Sequence, residues 1–339
     1  MMMTRLTFCL LVLLMSCTDS KETRKQRFLL MGNELLAEQN FSVALKNYNE
    51  ALKIDSCYSD ALNNLGTLYF RQNQFAEALQ YYSTAIGCKP DFLNAWFNRA
   101  NTHYELGRLV EAISDVDHIK KVKPDTLPVF FLEGLIHSKG RNYPMALSSF
   151  NHALTFDTTN AELWVNIGTL YYYSSDYQKA QEALMHAVSF DQMESNAYNT
   201  LAMVSAALGN IDQAHQWVDK ALELKPRDPF YINNKGYFYL LQDKMETALE
   251  EINNSITIDP YNGWAYRNKG IYYIKSGDYP SAVRLLSQAV ELDPYTEGVY
   301  SYLAEAYHGV GELENACKAW NESINKKERT SPEIPGYCK

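Results

Sequence analysis

The chain has 339 residues, 46% of them hydrophobic and 21% charged, which supplies enough apolar side chain for a sizeable core. Asp and Glu outnumber Lys and Arg by 40 to 31, a formal net charge of -9 that excludes the basic footprint needed to hold nucleic acid. The charges are spread along the chain, as on a solvated surface.

At the start, Arg5 precedes an apolar run over residues 6–15. A bilayer span needs about 20 such residues, so the run reads as a signal peptide over residues 1–16. It ends in Leu14, Met15, Ser16 and Cys17, which resembles the lipobox of bacterial lipoproteins, with Met15 an unusual residue at its place. That resemblance implies cleavage before Cys17, acylation of the cysteine, a polar tether over residues 17–24 and attachment to a lipid bilayer. No acidic residue directly follows Cys17, which under the enteric sorting rule points to the outer membrane of a cell envelope. The other reading is an ordinary secretory signal with an incidental cysteine.

From residue 25 to residue 330 the chain keeps a period of 34: Ala44, Ala78, Ala112 and so on to Ala316, with no insertion or deletion. A second ladder of small residues, Gly32, Gly66, Ala100 and on to Ala304, stands twelve places ahead of the first. Nine units therefore start at Lys25, Ser59, Leu93, Leu127, Ala161, Ser195, Pro229, Gly263 and Glu297. Each reads as two short helices; in the fifth they cover residues 161–173 and 177–190, with Ser174, Ser175 and Asp176 as the turn. Gly107, Gly209, Gly277 and Gly311 take that turn in other units, and Pro90, Pro124, Pro226, Pro260 and Pro294 close second helices. The small residues let two helices approach closely, while Trp96, Trp164, Tyr198, Tyr266 and Tyr300 fill wider spaces.

The fifth unit, through Trp164, Ile167, Gly168, Tyr171, Ala180 and Ala187, and the eighth, through Tyr266, Gly270, Tyr273, Ala282, Ala289 and Pro294, resemble the tetratricopeptide repeat. Ile119, Ser255 and Ser323 depart from the pattern by replacing a second-helix alanine. The resemblance implies an all-α, right-handed α-solenoid of nine repeats over residues 25–330, followed by a capping tail at residues 331–339. It also implies a concave groove lined by the first helices, in which partners are held.

Groove positions so defined carry Asn64, Phe97, Asn98, Asn101, Tyr104, Phe131, Asn166, Tyr172, Asn234, Tyr237, Trp264, Arg267 and Asn268, with Tyr173, Asn199, Phe230 and Asn233 at equivalent places. The expected surface is aromatic and amidic. Asn64, Asn98, Asn166, Asn234 and Asn268 share one repeat position. Their amides offer donor and acceptor together and could pair with successive peptide groups of an extended chain, or they could tie one repeat to the next; both readings stand. The first resembles the asparagine ladder of the repeat domain of O-linked N-acetylglucosamine transferases. Lys139, Arg267 and Lys275 are too scattered for the basic clamp with which some repeat domains hold a chaperone carboxylate.

Without Cys9 and Cys17 the mature body keeps Cys57, Cys88, Cys317 and Cys338, and an exported compartment permits disulfides. Cys317 lies in the last second helix and Cys338 in the tail, so a Cys317–Cys338 bridge is expected to pin the tail over the open end of the solenoid. Spacing leaves a Cys57–Cys88 bridge open. His118, His152 and His186 share a repeat position and read as an exposed row, since stacked helices about 8–10 Å apart cannot bring adjacent rungs onto one metal. No phosphate-binding loop, nucleophile elbow or HExxH motif occurs, so neither a cofactor nor a metal nor catalysis is expected. Two functional readings follow: a membrane-anchored scaffold that holds envelope proteins or an extended peptide in its groove, and, as the alternative, a glycan- or peptidoglycan-binding lipoprotein. An enzyme of unrecognised chemistry is a residual third.

Overall fold

The computed structural model describes residues 20–124, 126–326, 328 and 338. Among them every regular element is an α-helix. In chain order these are α1 (Lys21–Ala37), α2 (Phe41–Ile54), α3 (Ser59–Arg71), α4 (Phe75–Cys88), α5 (Leu93–Glu105), α6 (Leu109–Val122) and α7 (Leu127–Lys139). There follow α8 (Tyr143–Leu154), α9 (Ala161–Tyr173), α10 (Tyr177–Phe190), α11 (Ser195–Ala207), α12 (Ile211–Leu224), α13 (Pro229–Leu241), α14 (Met245–Ile258), α15 (Gly263–Lys275), α16 (Tyr279–Leu292), α17 (Val299–Gly309) and α18 (Leu313–Asn325). The chain divides after Asn142 into two compact units, α1–α7 and α8–α18: the first holds three helix–turn–helix pairs and α7, the second α8 and five pairs.

One backbone device makes every turn within a repeat. Gln39, Asn73, Gly107, Arg141, Ser175, Gly209, Asp243, Gly277 and Gly311, spaced at the repeat period, all have positive φ. The N–H of the following residue returns to a carbonyl five places back, as from Asp176 to Tyr171 at 2.9 Å and from Lys244 to Tyr239 at 3.0 Å, which closes the helix in a Schellman arrangement. Only four of these positions are glycine, so the other turns carry left-handed strain. Ser175→Gly and Asp243→Gly are each expected to raise stability by about 0.5–1 kcal/mol, read as a higher urea midpoint.

The seam inside each pair is set by the two ladders. Each second-helix alanine from Ala44 to Ala316 is 0% exposed. A Cβ added at Gly66 would stand 2.5 Å from the Tyr82 ring, and one at Gly270 would stand 2.5 Å from Leu286. The glycines are therefore required by close approach. Between repeats, the odd-numbered helices pack on one another, α1 on α3 and α3 on α5 in the first unit, α9 on α11 and onward to α17 in the second. No even-numbered helix packs comparably on another among the described residues. The odd helices thus line the inner side of each stack.

Two disulfides staple the stacks. Cys57, in the α2–α3 loop, is bonded to Cys88 at the end of α4, with 5.4 Å between Cα atoms. Sequence spacing had left this bridge open. Cys317 on α18 is bonded to Cys338, again at 5.4 Å. Glu328 lies just after α18, and its carboxylate accepts from the backbone N–H of Tyr300 at 3.0 Å and of Ser301 at 2.9 Å, and from Ser301 Oγ at 2.8 Å. It thereby caps the start of α17, with burial pushing its carboxyl above the usual range against those three donors.

Two sequence boundaries are corrected. The expected tether over residues 17–24 is too long, because Ser20 accepts from the N–H of Thr23 at 3.0 Å and starts α1 at Lys21. The ninth repeat's first helix starts at Val299 and not at Glu297, because Gly298 takes φ +76. Residues 1–19, which hold the expected signal peptide and Cys17, lie outside the described residues, as does the expected cap at 331–339 apart from Cys338.

Candidate functional site

The inner side of the second unit holds a cavity of about 290 Å³. Helix α9 contributes Thr169, Tyr172 and Tyr173 to its wall, and α11 contributes Asn196, Asn199, Thr200 and Met203. Asp228, Phe230, Tyr231 and Asn234 come from the start of α13, and Trp264 from α15. Side chains from adjacent first helices converge because residues one repeat apart occupy the same angular place on parallel rungs. Of the groove residues expected from sequence, Tyr172, Asn234 and Trp264 meet here with Tyr173, Asn199 and Phe230.

Hydrogen bonds fix this wall. Tyr231 Oη donates to Asn196 Oδ1 at 2.7 Å and lies 3.0 Å from Ser195 Oγ, and burial pushes its phenol up. Asn234 Nδ2 donates to Asn199 Oδ1 at 2.9 Å. Asp228 Oδ1 accepts from the N–H groups of Phe230 at 2.9 Å and Tyr231 at 3.2 Å, capping α13. Phe230 is left 47% exposed at the rim. Glu194 caps α11 by accepting from the N–H of Asn196 at 3.0 Å. Glu162, near Glu194, has its carboxyl raised first by burial and then by that neighbouring charge.

The asparagine row resolves into ties between repeats. Asn98 Nδ2 donates to Asn63 Oδ1 and Asn268 Nδ2 to Asn233 Oδ1, both at 2.9 Å and both across 35 residues, in the manner of Asn234 and Asn199. Asn64 Nδ2 reaches Asn33 Oδ1 at 2.7 Å. Asn166 does not join the row, because its amide donates to the Glu162 carbonyl of its own helix at 2.9 Å. The unused groups differ from tie to tie. Asn63 Nδ2 donates on to Asn64, and Asn268 Oδ1 accepts from Arg267 Nη1 at 2.8 Å. At the Asn234–Asn199 tie, Asn199 Nδ2 and Asn234 Oδ1 enter no described hydrogen bond, and both residues line the cavity.

Two expected groove residues are corrected. Asn268 is 1% exposed and Arg267 is 6% exposed, so neither is presented to a ligand. The Arg267 guanidinium sits among the rings of Tyr302 at 5.1 Å, Tyr237 at 5.4 Å and Trp264 at 5.6 Å, a cation–π enclosure inside the stack. Asn268→Ala would leave Arg267 Nη1 and Asn233 Oδ1 buried without partners. Its expected effect is a loss of about 1–3 kcal/mol in urea unfolding, larger than that of Asn98→Ala at a half-buried tie.

Phe97 and Tyr104 pack against the core around Ala100 and Val116. Lys139 Nζ covers the Tyr104 ring at 4.5 Å and donates to the Tyr104 carbonyl at 2.8 Å. Asn101 and Phe131 are half-buried on α5 and α7. The histidine row is only partly exposed: His118 stacks on Trp96 with ring centroids 3.8 Å apart, and His186 tilts over Trp164 at 4.7 Å. His103 and His215 are depressed by burial, each with one ring nitrogen lacking a partner. Among the described residues no group of three metal-ligating side chains occurs.

Sequence reasoning missed Asn196, Thr169, Thr200, Met203, Tyr231 and Asp228. Asp228 was legible in register: the caps at its repeat position are Asn160 for α9, Glu194 for α11, Asp228 for α13 and Asn262 for α15, so acid replaces amide at the middle two of the four helices that wall the cavity.

Models of the tetratricopeptide repeat match residues 59–92 and 165–229, and a TPR repeat model matches residues 32–73. No curated protein matches the chain by sequence. Among solved structures the chain is similar to Pseudomonas aeruginosa pilF, at 17% identity and a TM-score of 0.55 over 62% of this chain and 96% of that one. It is also similar to the human IFIT1 dimer with m7Gppp-AAAA, at 19% identity and a TM-score of 0.57 over 80% of this chain and 69% of that one. The APC/C hetero-tetramer Cut9-Hcn1 gives 18% identity and a TM-score of 0.58 over 91% of this chain and 61% of that one, so the chain spans less than two thirds of that relative. At such identities the likeness concerns the fold alone. The chain is thus an all-helical protein of paired helices that carries tetratricopeptide repeats at residues 32–92 and 165–229.

Proposed function

We propose that this protein is a scaffold of a bacterial cell envelope, anchored to a lipid bilayer through an acylated Cys17, which holds an extended peptide segment of a partner protein in the inner groove of its second unit. The observation that carries the reading is the Asn234–Asn199 tie. It leaves an amide donor of Asn199 and an amide acceptor of Asn234 without a described partner, in a cavity to which Tyr172, Tyr173, Phe230, Tyr231 and Trp264 contribute rings. A peptide group presents the complementary acceptor and donor, and rings suit the side chains beside it. The anchor rests on the apolar run before Cys17. Export is supported by the pairing of all four cysteines of the mature body into disulfides, which a reducing cytosol disfavours.

Photo-crosslinking in the native envelope from positions 172 and 230 tests the reading. Capture of one discrete protein from both sites supports it. Capture of glycan strands and no protein moves the groove to the alternative, a peptidoglycan- or glycan-binding lipoprotein, to which stacked rings and amides also lend themselves. The anchor is tested separately by Cys17→Ser, expected to release the protein from the membrane fraction. The IFIT1 structure holds m7Gppp-AAAA; here the cavity wall carries Asp228, whose charge opposes a triphosphate, and the chain has a formal net charge of -9.

A further inference from the structure

Resting on the groove reading above, we propose that the cavity of the second unit selects a basic side chain, arginine or lysine, on the bound peptide, with Asp228 as its counter-charge. Asp228 is the sole charged side chain in the cavity wall. Its Oδ1 is committed to the N–H groups of Phe230 and Tyr231, and Oδ2 enters no described hydrogen bond or ion pair. A carboxylate so fixed by its own helix start presents its second oxygen without further ordering. Arg227, the preceding residue, makes no described ion pair with it.

The field around that oxygen is negative. Glu194 stands at the equivalent cap one repeat earlier, and the carboxyl of Glu162 is raised first by burial and then by the nearby Glu194 charge. The other two helices that wall the cavity, α9 and α15, start on neutral Asn160 and Asn262, so the acidic caps fall on the two middle helices, α11 and α13. No basic side chain lines it; Arg267 stacks on Trp264 but is not part of the wall. Phe230 and Tyr172 supply ring surface for the aliphatic stem and, at the tip, cation–π attraction. The chain already places its own lysines over rings in this way, with Lys220 Nζ 4.8 Å from Trp217. An acidic or purely apolar ligand side chain would leave the Asp228 charge opposed or partly desolvated without a partner.

The test uses the full chain and a positional-scanning library of N-acetylated, C-amidated heptapeptides, followed by calorimetry with the best arginine peptide and its citrulline counterpart, which has the same shape and no charge. One library position should select arginine or lysine. Citrulline should weaken binding about tenfold, the size of one charge-assisted hydrogen bond. Asp228→Asn should weaken the arginine peptide by a like factor and leave the citrulline peptide unchanged, with the melting temperature held, because asparagine caps a helix as well as aspartate does. Equal binding of arginine and citrulline peptides, or selection of acidic residues, overturns the basic-side-chain inference and leaves the peptide groove standing. Binding of peptidoglycan fragments with no peptide bound at all overturns both.

Discussion

Exchanging Cys57 and Cys88 together for serine is expected to lower the stability of the first unit by about 3–4 kcal/mol, the loop-closure entropy of a bridge of this span. The bridge joins positions 31 residues apart and ties the loop before α3 to the last residue of α4, so it locks one whole helix pair into its closed form. Repeat stacks derive stability from each unit and its neighbour interface, so loosening one pair also weakens its hold on the pairs beside it. Urea unfolding under oxidising conditions reads the effect: the serine variant, which keeps the Cys317–Cys338 bridge, should unfold at a lower midpoint than the native protein. An identical midpoint for the two proteins would show the bridge to be energetically idle. Intact mass of protein taken from its own compartment should show no free thiol, which ties the same measurement to export.

The period of 34 made the start of the first helix legible to the residue in the second to eighth repeats, and in the fifth both helices, where residues 161–173 and 177–190 are α9 and α10. The places where the reading slipped have local causes. Gly298 breaks the helix that the period would begin at Glu297, and Ser20 begins one ahead of the first repeat. Turns at Ser175 and Asp243 escaped notice as left-handed because only glycine announces that conformation in a sequence. The groove was legible as a list of positions but not as a site. Which asparagine is consumed by a tie, and which keeps a free donor or acceptor, depends on its neighbours in three dimensions: Asn268 and Asn234 share one repeat position, yet Arg267 occupies the first and nothing described occupies the open oxygen of the second. Burial likewise separates Arg267 from Trp264, only three residues apart on one helix.

Gly66→Ala is expected to cost about 1–3 kcal/mol by overpacking, because the new methyl would meet the Tyr82 ring, whose nearest atoms lie at 2.5 and 2.7 Å. Tyr82 is 2% exposed and its hydroxyl donates to Thr67 Oγ1 at 3.2 Å, so the ring cannot swing aside without giving up both packing and that bond. The chain contains the compensated form of the same contact. Where the first-helix residue is Ala100 or Ala202, the second-helix residue at the Tyr82 position is Val116 or Val218; where it is Gly66, Gly168, Gly236 or Gly270, the partner is Tyr82, Leu184, Ile252 or Leu286. Ala304 with Trp320 is the exception, and the Trp320 indole N–H is left without a partner. Small-to-large on one helix is thus balanced by large-to-small on the other. In a Tyr82→Val background, Gly66→Ala should therefore become neutral or stabilising, since it fills space that the lost ring vacates and replaces a poor helix former. A double-mutant cycle by urea unfolding should return a coupling of about 1–3 kcal/mol between the two positions. Additive effects would mean that the backbone shifts to admit the methyl, and that the pairing of glycine with large partners along the chain does not arise from this contact.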